Sequence, residues 1–259
     1  MDDLTHAITA GLLVGMPVAM EVGRRVRLAK LAKTSGELDL TDAGVGALDA
    51  AVYALFGLLL AFAFSGAATR FDERRELIAM ETNAIGTAYL RLDLLPAETQ
   101  TALRPLFRRY LESRIATFRS MERPETMLTE YRRSLDLQNE IWRLALAGAR
   151  ETGSPAVLSL VLPALNEMID ITTTRLAATR THPPPIIYAM LLIVAFAASF
   201  LSGMAMAKSP TRPWPHIVAF TLVISATVFV ILDIEHPRRG FIRVDDADQV
   251  LVDLLDGMR

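Results

Sequence analysis

Four apolar stretches stand out along the chain, at residues 7–22, 45–68, 186–207 and 216–233. Each is close to the ~20 residues that a helix needs to cross a hydrocarbon core of ~30 Å. The pattern therefore predicts four transmembrane helices. Gly11 and Gly15 in the first stretch form a GxxxG pair, which either allows a close helix–helix approach or is chance spacing in a Gly- and Ala-rich span.

The residues between the second and third apolar stretches are mostly polar and show no strand-like alternation. Pro96, the MERPE segment and the TGSP segment divide this region, and we expect helices at 97–121, 125–150 and 154–180. No breaker separates the second stretch from the residues that follow it. The second span and the first domain helix are therefore predicted to form one helix over 45–94, which is ~75 Å long at ~1.5 Å per residue.

The predicted fold is all-α, with four transmembrane helices and a helical extramembrane domain between the second and third. Residues 1–68 carry spans one and two, 69–185 the extramembrane domain, 186–236 spans three and four, and 237–259 a C-terminal tail. The tail should contain a short amphipathic helix. Its apolar face would carry Val250, Leu251, Leu254 and Leu255.

Composition agrees with a membrane protein that has a sizeable aqueous part, since 52% of the residues are hydrophobic and 22% are charged. The net charge of −2 gives no reason to expect a nucleic acid partner. No lysine or arginine precedes Arg24, so we expect the first stretch to stay as an anchor rather than act as a cleaved signal peptide. Basic residues flank both predicted sides, and the orientation stays undecided.

Catalysis has little support in the sequence. There is no cysteine, and the four histidines are scattered without metal-ligand spacing. Phosphate-loop, GxSxG and HExxH patterns are absent from the sequence. We therefore expect no catalytic residues, no metal and no cofactor.

The long predicted helix carries a half-polar stripe. Phe64, Phe71, Ile78, Ile85 and Leu92 are spaced seven apart, with polar residues beside them. Two settings fit this pattern: packing inside the domain with Asn83 and Tyr89 buried and paired, or the lining of an aqueous passage. On a later helix, Asn166 and Asp170 would pair with Arg91 or Tyr89 inside the domain, or bind a small ligand.

Charges concentrate at two predicted membrane boundaries. The second span is followed by Arg70, Asp72, Glu73, Arg74 and Arg75. Asp72 and Arg75 are spaced to pair, and the cluster would be either an interfacial anchor or a ring of charge at a pore mouth. The fourth span ends with Asp233 and Glu235, which would form a salt-bridge cluster or a cation or proton site. The expected partners are Arg74, Arg238 and Arg239.

Phe56, Leu60 and Phe64 lie four apart on the second span and share a face. In a ring of several copies, these bulky apolar residues would form a hydrophobic constriction that gates by dewetting. Contact with lipid or with a neighbouring span is the alternative.

Two long motifs carry a family resemblance: LLLAFAFSGAATRFDERR followed by ETNAIGTAYLRLDLLP, and DIEHPRRGFIRV after the last span. With the basic GRRVR segment, they resemble the bestrophin-like domain family of bacterial membrane proteins. The resemblance implies a distant likeness to bestrophins, which are pentameric anion channels with four spans per subunit. It implies a homo-oligomer in the bacterial inner membrane, small inorganic ions as cargo, and a pore along the second span that narrows at Phe56, Leu60 and Phe64.

Two departures from bestrophins stand beside this resemblance. The acidic run that clasps calcium in animal bestrophins is absent, so calcium gating is not implied. The basic first loop fits poorly with a cytosolic central domain.

Two functions follow as hypotheses. The first is an oligomeric ion channel, with anions as the expected cargo and the second span around the pore. The alternative is a non-conducting membrane sensor or scaffold whose helical domain binds a ligand or a protein partner.

Overall fold

The structure is a computed structural model that describes residues 2–33, 42–207, 209, 211–236 and 240–258. Within these residues the regular elements are helices, and no strand is found. The helices are α1 (Asp2–Lys33), α2 (Asp42–Leu90), a 3₁₀ helix (Arg91–Leu94), α3 (Ala97–Arg119), α4 (Pro124–Glu151), α5 (Pro155–Arg180), α6 (Pro185–Met206), α7 (Trp214–Ile234) and α8 (Asp245–Gly257). The all-α prediction is confirmed.

Four segments of the described chain are long and apolar enough to cross a membrane. They are Leu4–Lys33, Val45–Leu94, Pro155–Met206 and Trp214–Ile234. These segments contain the four predicted spans, so the chain has the helices of a four-span membrane protein.

The first helix is longer than its predicted span. α1 continues past the apolar stretch of residues 7–22 to Lys33, because the Ala, Leu, Lys and Arg residues there are strong helix formers. Pro17 and Pro105 lie inside α1 and α3 without ending either helix. The FIRV segment of the C-terminal motif forms bends before α8 begins.

α2 is a single helix of 49 residues. The helix is unbroken through residues 65–71, where the apolar sequence gives way to charge. The 3₁₀ turn of residues Arg91–Leu94 follows directly, and Pro96 stands just before α3. The prediction of one continuous helix is confirmed to within a few residues.

One compact unit of the chain comprises Met1–Arg70 and His182–His236. In it α1 packs against α6 and α7. The backbones of α1 and α6 approach so closely that a Cβ atom on Gly203 would lie 1.8 Å from the Met20 carbonyl oxygen, and one on Gly23 would lie 2.0 Å from that of Phe200. A Cβ on Gly11 would meet nothing within 4 Å, whereas one on Gly15 would lie 2.7 Å from Cε1 of Phe196. The close approach of the two backbones therefore uses Gly23 and Gly203, and of the Gly11–Gly15 pair only Gly15 faces α6.

The second compact unit comprises Phe71–Thr181 and Pro237–Arg259. The later part of α2, together with α3, α4, α5 and α8, encloses an apolar core that includes Ile85, Phe107, Leu111, Ile141 and Leu165.

Helix α8 covers part of this core. Leu251 is fully buried, and Leu254 and Leu255 are partly buried against the core. Val250, predicted on the same apolar face, is exposed instead, because it lies about 100° around the helix from Leu251.

Candidate functional site

The predicted constriction residues do not share one environment. Phe56 is 3% exposed and packs among residues of α1, α6 and α7, Leu60 is half-buried against the same cluster, and Phe64 is exposed. The cause is geometric, since four residues turn a helix by about 400° and the stripe drifts by about 40° at each step. The stripe therefore winds from the packed side of α2 towards its open side.

α2 is the transmembrane helix least covered by its own chain. Six per cent of the residues in its most apolar 18-residue stretch are buried, against 22% for α1 and 39% for α7. Leu58 is 51% exposed and Phe62 is 67% exposed. Leu58 lies about 160° around the helix from the buried Phe56, so the open side carries bulky apolar residues.

The carboxylate of Glu235 is buried at the end of α7. It accepts a hydrogen bond of 2.8 Å from Nε of Arg70, and its other oxygen lies 3.5 Å from Nδ1 of His182. The His182 ring stacks on that of His236, with ring centroids 5.3 Å apart. Asp233 is also buried. Arg70 is therefore a partner of Glu235 that the sequence did not indicate.

Arg74 makes backbone contacts within the second unit. Arg74 donates to the carbonyl oxygens of Ala178 and Thr181, at 3.3 and 3.0 Å, and so supports the C-terminal end of α5. Arg238 and Arg239 lie outside the described residues.

The predicted Asp72–Arg75 pair does not form. The guanidinium of Arg75 lies over the Phe71 ring, 6.0 Å from its centroid, while Asp72 and Glu73 are exposed. A cation on an aromatic face replaces the expected ion pair.

A buried network of charge lies in the second unit. Nε of Arg114 donates to Oε1 of Glu81 at 2.5 Å, and Arg175 donates to Oε2 of the same carboxylate. Arg175 also donates to Asp248 of α8 at 2.7 Å. Glu81 and Arg114 are fully buried. The network joins α2, α3, α5 and α8.

Phe118 supports both arginines. Its ring centroid lies 3.6 Å from the guanidinium carbon of Arg175 and 5.0 Å from that of Arg114. Burial favours a raised pKa for Glu81, but the charges and hydrogen bonds of Arg114 and Arg175 outweigh burial, and the net shift of the Glu81 pKa is downward. The Glu81 carboxyl is therefore ionised at neutral pH.

Sequence reasoning did not identify this network. One signal was available: Glu81 lies three and four residues before the buried Ala84 and Ile85, and Arg114 stands between Leu111 and Ile115. A charge at the core position of an apolar stripe requires a buried partner. Which residue is that partner depends on which helices pack together, and the local sequence pattern does not give this information.

The predicted polar face of the domain is only partly internal. Tyr89 is buried, and its hydroxyl accepts a hydrogen bond of 2.9 Å from Arg104. Asn83, Asn166 and Asp170 are exposed, and their side chains bond to no other described residue.

Asn166 and Asp170 do not pair with Arg91, which was one of the expected arrangements, because Arg91 donates to the Leu160 carbonyl oxygen at 2.5 Å. α5 turns Leu165 and Met168 inward, which leaves Asn166 and Asp170 on its outer side.

A cavity of about 360 Å³ lies beside the buried network in the second unit. Asp248 belongs to both the network and the cavity wall. The lining residues are Phe118, Arg119, Met121, Glu122, Arg243, Asp248 and Gln249. Across the described part of the chain, no group of three or more His, Asp or Glu side chains is placed to hold a metal ion.

Comparison with known proteins follows from this geometry. The sequence model of the Bestrophin-like domain matches residues 12–249. A bacterial bestrophin homologue from Klebsiella pneumoniae has a crystal structure similar to this one, with a TM-score of 0.67 at 18% identity over 96% of this chain and 98% of that chain. A variant of a protein described only as a membrane protein gives a TM-score of 0.72 at 16% identity, over 96% and 97%. At such low identity these structures show a shared fold. The chain matches none of the curated proteins.

Proposed function

Because this chain belongs to the Bestrophin-like domain family, we propose that it is an oligomeric ion channel of the bacterial inner membrane, with α2 around the pore and anions as its cargo. The observation that carries this proposal is the open side of α2. Of the four transmembrane helices, α2 is the one least covered by its own chain. In a ring of copies with α2 innermost, the open side of α2 would face the axis of the ring.

The pore would narrow at bulky apolar residues on that open side. Leu58 and Phe62 are four apart and exposed, so they suit a constriction that gates by dewetting. Phe64 and Leu60 lie nearer the edge of the open side. Phe56 is occupied by contacts with its own chain. The burial pattern thus favours Leu58 and Phe62, while the Phe56–Leu60–Phe64 constriction stays a prediction from sequence.

The charged residues after the span are proposed to form rings at the mouth of the pore. Asp72, Glu73 and Arg75 are exposed on α2 and repeat once in each copy. They carry both signs, so we base the anion assignment on the family and test it by ion replacement.

Planar bilayers provide the test. Purified protein should give single-channel currents, and the reversal potential in a KCl gradient should lie near that of chloride. Phe62→Ala should raise the conductance by removing the exposed ring. The matched control is Phe56→Ala, which deletes the same ring from a packed position and should lower stability while leaving conductance unchanged in the folded fraction. Silent bilayers with a folded oligomer would refute the channel.

The cavity of about 360 Å³ supports the second candidate, a non-conducting sensor whose helical domain binds a polar ligand. Subunit number separates the two candidates. A monomer or dimer by mass in mild detergent could not surround a pore with α2, whereas a larger ring could.

A further inference from the structure

A second cavity, of about 160 Å³, lies in the first unit where α1, the end of α6 and the start of α7 meet. Met20 of α1, Met206 of α6 and Ile217 of α7 contribute apolar walls. Arg24 and Arg25, one turn further along α1, also line it. The cavity therefore joins an apolar wall to a cationic one.

The carboxylate of Glu21 contacts three arginines at this cavity. Oε1 of Glu21 accepts hydrogen bonds from Nε of Arg25 at 2.8 Å and from Nη2 of Arg212 at 3.1 Å. Nη1 of Arg24 lies 3.8 Å from the other oxygen. Three guanidinium groups thus share one negative charge, which leaves a local charge of +2. A guanidinium has five N–H donors, so most of the donors in this group are not used by Glu21.

The position of the cavity indicates the kind of anion. The apolar stretch of α1 ends near residue 22, α6 ends at Met206, and α7 begins at Trp214. The exposed indole of Trp214 lines the cavity. Tryptophan is typical of the membrane interface, and basic pockets between transmembrane helices bind acidic headgroups.

We propose that this cavity holds the phosphate of an anionic phospholipid headgroup, with its acyl chains along the apolar wall. Arginine suits a phosphate because its planar donors bind two oxygens at once. A free phosphate would satisfy the arginines but would leave the half-buried side chains of Met206 and Ile217 without an apolar occupant.

Trp214 is a built-in reporter for this proposal. The chain has two tryptophans, and Trp142→Phe leaves Trp214 as the sole emitter. The protein is reconstituted in vesicles of phosphatidylcholine with increasing brominated phosphatidylglycerol, and in the reverse mixture with brominated phosphatidylcholine. Because bromine quenches indole at contact, the two titrations give the relative affinity of the site for the anionic lipid.

We expect phosphatidylglycerol to be preferred and Arg212→Gln to weaken that preference about fivefold. The control is Lys33→Gln, which removes one positive charge from α1 at a position that does not line the cavity, and it should keep the preference of the parent protein.

Equal quenching by the two lipids would overturn the proposal, as would equal effects of the two variants. Absence of quenching by either lipid would overturn it as well, because Trp214 would then be covered by protein. A third arm adds inorganic phosphate to the vesicles. If phosphate alone abolishes the preference for phosphatidylglycerol, the site binds soluble anions and the lipid assignment fails.

Discussion

Replacing Glu81 by glutamine would remove a carboxylate that two buried arginines share. Glutamine keeps the volume of the side chain, so no cavity is created, and the change isolates charge and hydrogen bonding. Arg114 would lose its ion-pair partner, and its Nη groups already have no hydrogen-bond acceptor among the described residues. Arg175 would keep Asp248.

The size of the effect follows from this arrangement. Removing one partner of a buried ion pair costs about 3–5 kcal/mol, because the other charge stays buried and unpaired. Since Asp248 still compensates Arg175, we expect the lower end, about 3 kcal/mol. Asp248→Asn removes one charged hydrogen bond while Glu81 still holds both arginines, and it should cost about 1.5 kcal/mol.

Urea unfolding of the full chain in mild detergent measures both values. Trp142 packs against the core of the second unit, and a Trp214→Phe background makes its fluorescence specific for that unit. With a slope of about 2 kcal/mol/M, Glu81→Gln should lower the midpoint by about 1.5 M.

Glu112→Gln is the matched control for this experiment, because it neutralises an exposed carboxylate on α3 and should change stability by less than about 0.5 kcal/mol. If Glu81→Gln and Glu112→Gln give the same midpoint, the network contributes no net stability and the reasoning fails.

Two further predictions rest on the same structure. First, Gly203→Ala should separate α1 from α6, since the new Cβ would meet the Met20 backbone. The temperature at which the protein loses its monodisperse peak in size-exclusion chromatography should therefore fall. Gly11→Ala places its Cβ in open space and should leave that temperature unchanged. Second, the stability difference between the parent and Glu81→Gln should be constant from about pH 5 to 8. The folded-state pKa of Glu81 is depressed from its ordinary 4.5, so the stability it contributes is present above that value and is lost as the pH falls through the folded pKa. A difference that grows on acidification would contradict the assigned ion pairs.

Sequence patterns predicted the helices well because their signals are local. Pro96, Pro124 and Pro155 stand at or next to the ends of domain helices, and apolar runs of span length identify the membrane segments. The uninterrupted course of α2 also followed from its sequence, since it contains neither proline nor a run of turn-forming residues.

Side-chain partners were harder to predict because they depend on packing between distant segments. Arg70 and Glu235 are 165 residues apart, and nothing near either residue indicates the other. Tyr89 is buried, as in the packing alternative for the half-polar stripe. Asn83 was placed with it, yet it is exposed, because polarity along a stripe does not reveal which side the neighbouring helices cover.

The open side of α2 favours contact with other copies over contact with lipid alone. A surface facing only lipid has no need of small residues, whereas helix–helix contacts in membranes use them for close approach. Gly57 and Ala61 are exposed between the bulky Leu58 and Phe62, and a Cβ on Gly57 would meet nothing within 4 Å of its own chain. No described helix of the same chain packs closely against Gly57. A helix of a second copy could therefore pack there. The same side therefore carries both the bulky residues of the proposed constriction and the small residues that would let neighbouring α2 helices come together around it.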